Sequence, residues 1–218
     1  MSVSAMLLQL LQAFGITAAI FALTLLGALP LGLPVALGRM SKCAPLRWLM
    51  SAYISVMRGT PLMLQLMVVY YGPGLLFHVS LPDNWRFLAV IVAFVINYAA
   101  YFAEIYRGGI QSIDRGQYEA AQVLGYSRGQ TFFRIILPQV VRRILPSVTN
   151  EVITLVKDTS LASVIGTVEM FTRARMIVAA PRSPGMLTYL AAGVFYYVFN
   201  AVVAYGMTAL EKRMDHGK

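Results

Sequence analysis

Side chains that do covalent chemistry are scarce in this chain. Its 218 residues hold two histidines, one cysteine and nine acidic residues, and no glycine-rich loop closing on Lys-Ser or Lys-Thr. P-loop hydrolysis of a nucleotide by this chain is excluded, and no cluster of nucleophile, base and acid can be assembled, so the chain does not read as an enzyme. Cys43 stands alone, which excludes an intrachain disulfide and leaves a small semi-apolar residue. A basic n-region is missing from the N-terminus, whose apolar stretch is long enough to span, so no cleavable signal is expected. Internal repeats and low-complexity segments are absent too.

Charge is also sparse, at 12% of residues against 58% hydrophobic. That balance belongs to a multi-span membrane protein, and the length suits one domain over 1–218. The expected fold is an all-α integral membrane protein of about five transmembrane helices. Spans are expected at about 14–37, as a broken pair within 46–77, at about 87–106, from near Val140, and at about 186–210. Pro30, Gly32 and Pro34 predict a kink in the first. Gly72-Pro73-Gly74 and Leu81-Pro82-Asp83-Asn84 read as an external turn with His78 and Trp85 at the interface, and 169–184 as a second external loop.

The net charge of +9 is distributed by topology. Arg39, Lys42, Arg47 and Arg58 fall in or near the first inter-span stretch, and six arginines lie from Arg107 to Arg143. Lys212, Arg213 and Lys218 close the tail, whereas the opposite loops hold Arg86, Arg173, Arg175 and Arg182. This is the positive-inside pattern. It puts the N-terminus outside, the C-terminus and the 107–139 loop in the cytoplasm, and argues for lipid contact and against nucleic acid.

Polar residues within the apolar runs carry the candidate site. Arg58-Gly59-Thr60-Pro61 interrupts a stretch too long for one straight span, and Thr60 and Pro61 read as N-cap and first residue of a new helix. A fresh helix start offers unpaired N–H groups and a positive dipole end, suited to a carboxylate. Asn97, Tyr101 and Glu104 share one stripe, and polar groups at that depth face a bundle interior or a wet cavity. Glu104 also has an ion-pair partner one turn on, in Arg107. Asn150, Glu151, Thr154, Lys157 and Asp158 occur in a hydrophobic setting. Glu151 and Asp158, two turns apart, face the same way, and Lys157 is expected to neutralise an acid on a neighbouring helix. Substrate-binding candidates are therefore Arg58, Gly59, Thr60, Asn97, Glu151 and Asp158, with a buried structural ion network as the alternative. The small residues from Ser160 to Gly166 favour close helix packing.

Residues 117–138 are polar and basic between strongly apolar neighbours. The stretch 117–124 favours a short helix, with Gly125 at its C-terminal cap and an apolar side of Tyr118, Ala121 and Leu124. Glu119-Ala120-Ala121, three residues, Gly125, nine residues, Ile135, one residue and Leu137-Pro138 follow one another in a spaced pattern. It resembles the signature of ABC-importer permeases. Met57-Arg58-Gly59-Thr60-Pro61-Leu62, the phrase from Ala103 to Ile110, and Lys157-Asp158-Thr159-Ser160-Leu161 are similar to the subfamily for polar amino acids (histidine, glutamine, arginine, cystine and opine type). The resemblance implies a type I importer permease of the bacterial inner membrane, with a coupling helix in which Glu119, Ala120, Ala121 and Gly125 meet an ATPase subunit. It implies two permeases, alike or different, over two ATPase copies, and an extracytoplasmic amino-acid-binding protein. ATP and Mg would sit in the ATPase, with no cofactor in this chain. The rival reading is an ion-gradient-driven secondary transporter of small polar solutes using Glu104 or Asp158, which leaves the signature stretch unexplained.

Overall fold

The computed structural model describes residues 1–215, and no strand occurs among them. Lys218 of the basic tail lies outside the described residues. Helix α1 (Val3–Arg39) begins where the Ser2 hydroxyl accepts from Ala5 N, eleven residues before the expected span. It runs on through Pro30 and Pro34 without interruption. Its first turns are not free: Met6, Leu10 and Ala13 are buried against Met170, Ala174, Ile177 and Ala192.

Helices α2 (Ala44–Gly59) and α3 (Leu62–Phe77) meet at a bend of 109°. Gly72-Pro73-Gly74 is not a turn, because α3 continues through it to His78, whose φ of 51° closes the helix in the left-handed region. The Trp85 indole donates to Tyr70 O (3.0 Å) in the turn that Pro73 weakens. The expected turn at 81–84 is present, and α4 (Trp85–Gln111) follows it.

The expected loop at 107–139 is largely helical. It contains the end of α4, α5 (Arg115–Val123), α6 (Arg128–Gln130) and a π-helical stretch, Thr131–Ile136, leading into α7 (Leu137–Asp158). A 3-10 stretch (Thr159–Ile165) ends at Gly166 in the left-handed region and is followed by α8 (Met170–Ala179) and α9 (Met186–Asp215). Helix α8 replaces the expected loop at 169–184. Glu169 is fully buried and caps it, accepting from Phe171 N and Thr172 N at 2.7 Å each and from the Tyr196 hydroxyl at 2.9 Å.

The main seam packs α1 along α4, with Ile20 and Ala28 against Phe94, Tyr98 and Phe102, and α7 adds Val152 and Leu155. A Cβ on Gly109 would lie 2.1 Å from the Ile144 Cγ2, so only glycine permits this approach of α4 to α7. Helices α1, α4 and α9 are each long and apolar enough to cross a membrane, and the bent α2–α3 pair makes a fourth if counted as one span. Helix α7, expected as the fourth of five spans, does not meet that measure among the described residues; it carries Arg142, Arg143, Glu151, Lys157 and Asp158 away from its buried apolar face. Helix α9 leaves Leu190, Val194, Val202 and Tyr205 exposed, a face for lipid or another apolar surface.

Candidate functional site

The break between α2 and α3 is a built polar node. Thr60 and Pro61 are extended, and the helix begins at Leu62, one residue after the expected start. Thr60 is not the N-cap. Its hydroxyl donates back to Val56 O (2.8 Å) and accepts from Gln65 Nε2 (2.8 Å), so it closes α2 instead of opening α3. Gln65 Nε2 also reaches Met57 O (3.0 Å) and Thr60 O (3.2 Å). From α4, buried Asn97 donates to the same Met57 O (3.0 Å) and to Gln65 Oε1 (2.9 Å), while Tyr53 donates to Ile96 O (2.5 Å). A carbonyl released by a broken helix must find donors when water is scarce. Two amides supply them here.

Behind the node lies a cavity of about 280 Å³ between the start of α3, α4 and α7. Thr60, Leu62, Asn97, Glu151 and Asp158 line it, so four of the six sequence-predicted binding residues share one chamber. The N–H groups of Leu62 and Met63 open α3 without intrahelical acceptors. Asp158 accepts from the buried Tyr98 hydroxyl (2.8 Å), which leaves lone pairs on both of its oxygens for a further donor. Asn97 lines the chamber, but its amide hydrogens are spent on the node; it shapes the site more than it offers a free donor.

Arg58 lines a neighbouring cavity of about 380 Å³, together with Tyr101, Glu104, Arg143 and Glu151. Its guanidinium stacks over the Tyr101 ring at 5.3 Å and stands 3.9 Å from Glu104. Glu104 is held mainly by Arg107, at 2.6 Å, the pairing that the spacing predicts. Gly59 lines neither cavity. Lys157 is exposed and forms no ion pair with an acid among the described residues, so it does not neutralise a neighbouring helix as expected. Glu151 belongs to both cavities. Gln65 and Tyr98 were missed from the sequence; a lone amide five residues after Thr60 in an apolar run is the signal that marks Gln65.

The second candidate surface is α5. Asp114 caps its N-terminus through Gly116 N (2.6 Å), and Gly125, at φ +78°, ends it as the sequence predicts. Ala121 is buried and Tyr118 packs inward against Ile113, Ile136 and Val140. Leu124 does not join them. It is 74% exposed and Val123 is 88% exposed, beside exposed Glu119, Ala120 and Gln122.

Three helices long and apolar enough to cross a membrane, together with a polar cavity beside a broken helix pair, define the class as a helical membrane protein. Residues 28–216 match the family described as the binding-protein-dependent transport system inner membrane component, and the chain belongs to that family. It is 40% identical to the L-cystine transport system permease protein TcyB of Bacillus subtilis (strain 168) over 186 residues, 85% of this chain and 77% of that protein. The arginine transport system permease protein ArtQ of the same organism is 37% identical over 205 residues, 94% of this chain and 92% of its own. The crystal structure of an amino acid ABC transporter with histidines superimposes with a TM-score of 0.85 at 33% identity, covering 94% of each chain.

Proposed function

We propose that this chain is the permease subunit of an ATP-driven importer for polar amino acids. The observation that carries the reading is the chamber behind the helix break, where a helix start meets two acids in a family whose relatives include cystine and arginine permeases. The start of α3 suits the α-carboxylate. Asp158, with Glu151 beside it, suits the ammonium, and the Asn97–Gln65 node holds the helix start in place. A five-span topology, with α7 counted as a span beside the three long helices and the bent pair, puts the N-terminus outside and the C-terminus in the cytoplasm of a bacterial inner membrane, in keeping with the positive-inside charge pattern.

Helix α5 is the coupling helix of this reading. Its exposed Glu119, Val123 and Leu124 form the handle seated on an ATPase subunit, and Tyr118, packed with Ile136 and Val140, ties that handle to the base of α7. Two ATPase copies, a second permease and an extracytoplasmic binding protein complete the assembly. ATP and Mg belong to the ATPase. Closure of the ATPase pair carries α5 inward and opens the chamber outward; hydrolysis returns it to the cytoplasm.

The test is purification from native membrane in mild detergent, followed by uptake of labelled L-cystine, L-arginine and L-histidine into proteoliposomes. A P-loop ATPase in stoichiometric amount and ATP-dependent uptake are expected. A chain recovered alone and active under an ion gradient without ATP overturns the reading in favour of a secondary transporter.

A further inference from the structure

The larger cavity has a charge arrangement that the chamber beside Asp158 does not use. Within it Glu104 is satisfied, since Arg107 Nε and Nη2 donate to its oxygens at 2.6 to 3.1 Å. Arg143 donates to the carbonyl and hydroxyl of Ser112. Arg58 stands 3.9 Å from Glu104 and over the face of Tyr101, and it attracts Glu151 across the cavity without closing on it. Glu151 has no hydrogen bond or ion pair among the described residues. A guanidinium and a carboxylate thus line one cavity of about 380 Å³ while more than an ion-pair distance apart. Opposite charges that share a space and do not close on each other leave room for a ligand carrying both signs. An α-amino acid has that form, with its carboxylate for Arg58, its ammonium for Glu151 and the Tyr101 ring as one wall.

The cavity also has a direction. Its far wall is Gly108, Ser112 and Arg143, at the ends of α4 and α7 that lead to α5. Its near wall, Tyr101 and Glu151, is shared with the Asp158 chamber. We infer that the Arg58–Glu151 cavity is a second zwitterion-binding station, which takes the amino acid from the Asp158 chamber on its way to the coupling-helix side. Glu151 is the hand-over group, because it lines both spaces and makes no hydrogen bond or close ion pair in either. The inference rests on the amino-acid permease reading above and adds to it a station that a single-site permease lacks.

The experiment is cysteine protection in membrane vesicles carrying the full assembly, in a Cys43→Ala background that removes the exposed native thiol. Ser147→Cys reports on the Arg58 cavity alone and Thr154→Cys on the Asp158 chamber alone. Each is modified with N-ethylmaleimide with and without the best transported of L-cystine, L-arginine and L-histidine. At about ten times the half-protecting concentration, modification of either cysteine is expected to slow on the order of tenfold. Adding Arg58→Gln is expected to raise the half-protecting concentration at position 147 on the order of tenfold and to leave that at 154 nearly unchanged. If Ser147→Cys fails to assemble, Gly108→Cys serves, since a Cβ there meets nothing within 4 Å. Protection at 154 with none at 147 overturns the second station and leaves the permease reading standing. Protection at neither position overturns both.

Discussion

Helix α1 contains two prolines and remains one helix, whereas the α2–α3 segment has one proline at its junction and turns through 109°. Proline alone therefore does not decide where a membrane helix breaks. In α1 the flanking residues stay helical and the α4 surface packs along the helix, with the Tyr106 hydroxyl donating to Leu29 O (3.1 Å). At the α2–α3 junction Thr60 leaves the helical region, its hydroxyl turns back on Val56, and Gln65 and Asn97 take over the released Met57 carbonyl. One region tolerates a lost hydrogen bond. The other replaces it with a side-chain network, and that network forms the wall of the chamber.

This contrast can be broken at several points. The largest effect is expected from Asp158→Asn, which keeps the Tyr98 hydrogen bond and removes the charge: uptake should fall about 10- to 100-fold with assembly intact, read as initial rates in proteoliposomes. Next is Asn97→Leu. It strands Gln65 Oε1 and leaves Met57 O with Gln65 as its one remaining amide donor, so a destabilisation of about 1–3 kcal/mol is expected, read as a lower melting temperature by fluorescence-detected gel filtration. Gln65→Leu should cost a similar amount, and the double variant less than the sum, because both amides serve one node. Gly109→Ala forces a methyl group onto Ile144 Cγ2 and should cost about 1–3 kcal/mol unless Ile144 is cut to Ala in the same chain. The smallest change is expected at Pro34→Ala. Helix α1 is continuous there, so uptake should be nearly unchanged, whereas a loss as large as that of Asn97→Leu would erase the distinction between the two regions.

The handle can be separated from the chamber. Glu119→Lys reverses an exposed charge on α5 and leaves Ala121 buried, so the chain should fold and melt normally yet lose its ATPase on purification. Retention of the ATPase with normal uptake would remove Glu119 from the docking role.

Local chemistry made part of this legible from sequence. Gly125 announced the end of α5, the spacing of Glu151 and Asp158 put both on one wall, and Glu104 found Arg107 one turn away. These are short-range relations that helical periodicity fixes. What was hidden depends on distant partners. Glu169 and its helix α8 read as loop because of Arg173, Arg175 and two nearby prolines, while the contacts that bury Glu169, Met170, Ala174 and Ile177 come from α1 and α9. Pro73 between two glycines read as a turn because the indole that supports its helix lies in the next element. Arg58 and Thr60 are two residues apart and read as one site, yet the reversal at the junction sends them to different cavities. A break in direction separates neighbours that periodicity alone would keep together.

The most direct test of the chamber is equilibrium binding of the best transported labelled amino acid to the purified, nucleotide-free assembly, wild type against Asp158→Asn. Saturable binding in the wild type and at least about tenfold weaker binding in the variant are expected, as for loss of a charge-assisted contact. Equal affinity in two equally well-folded samples would contradict the assignment of the Asp158 chamber to the substrate.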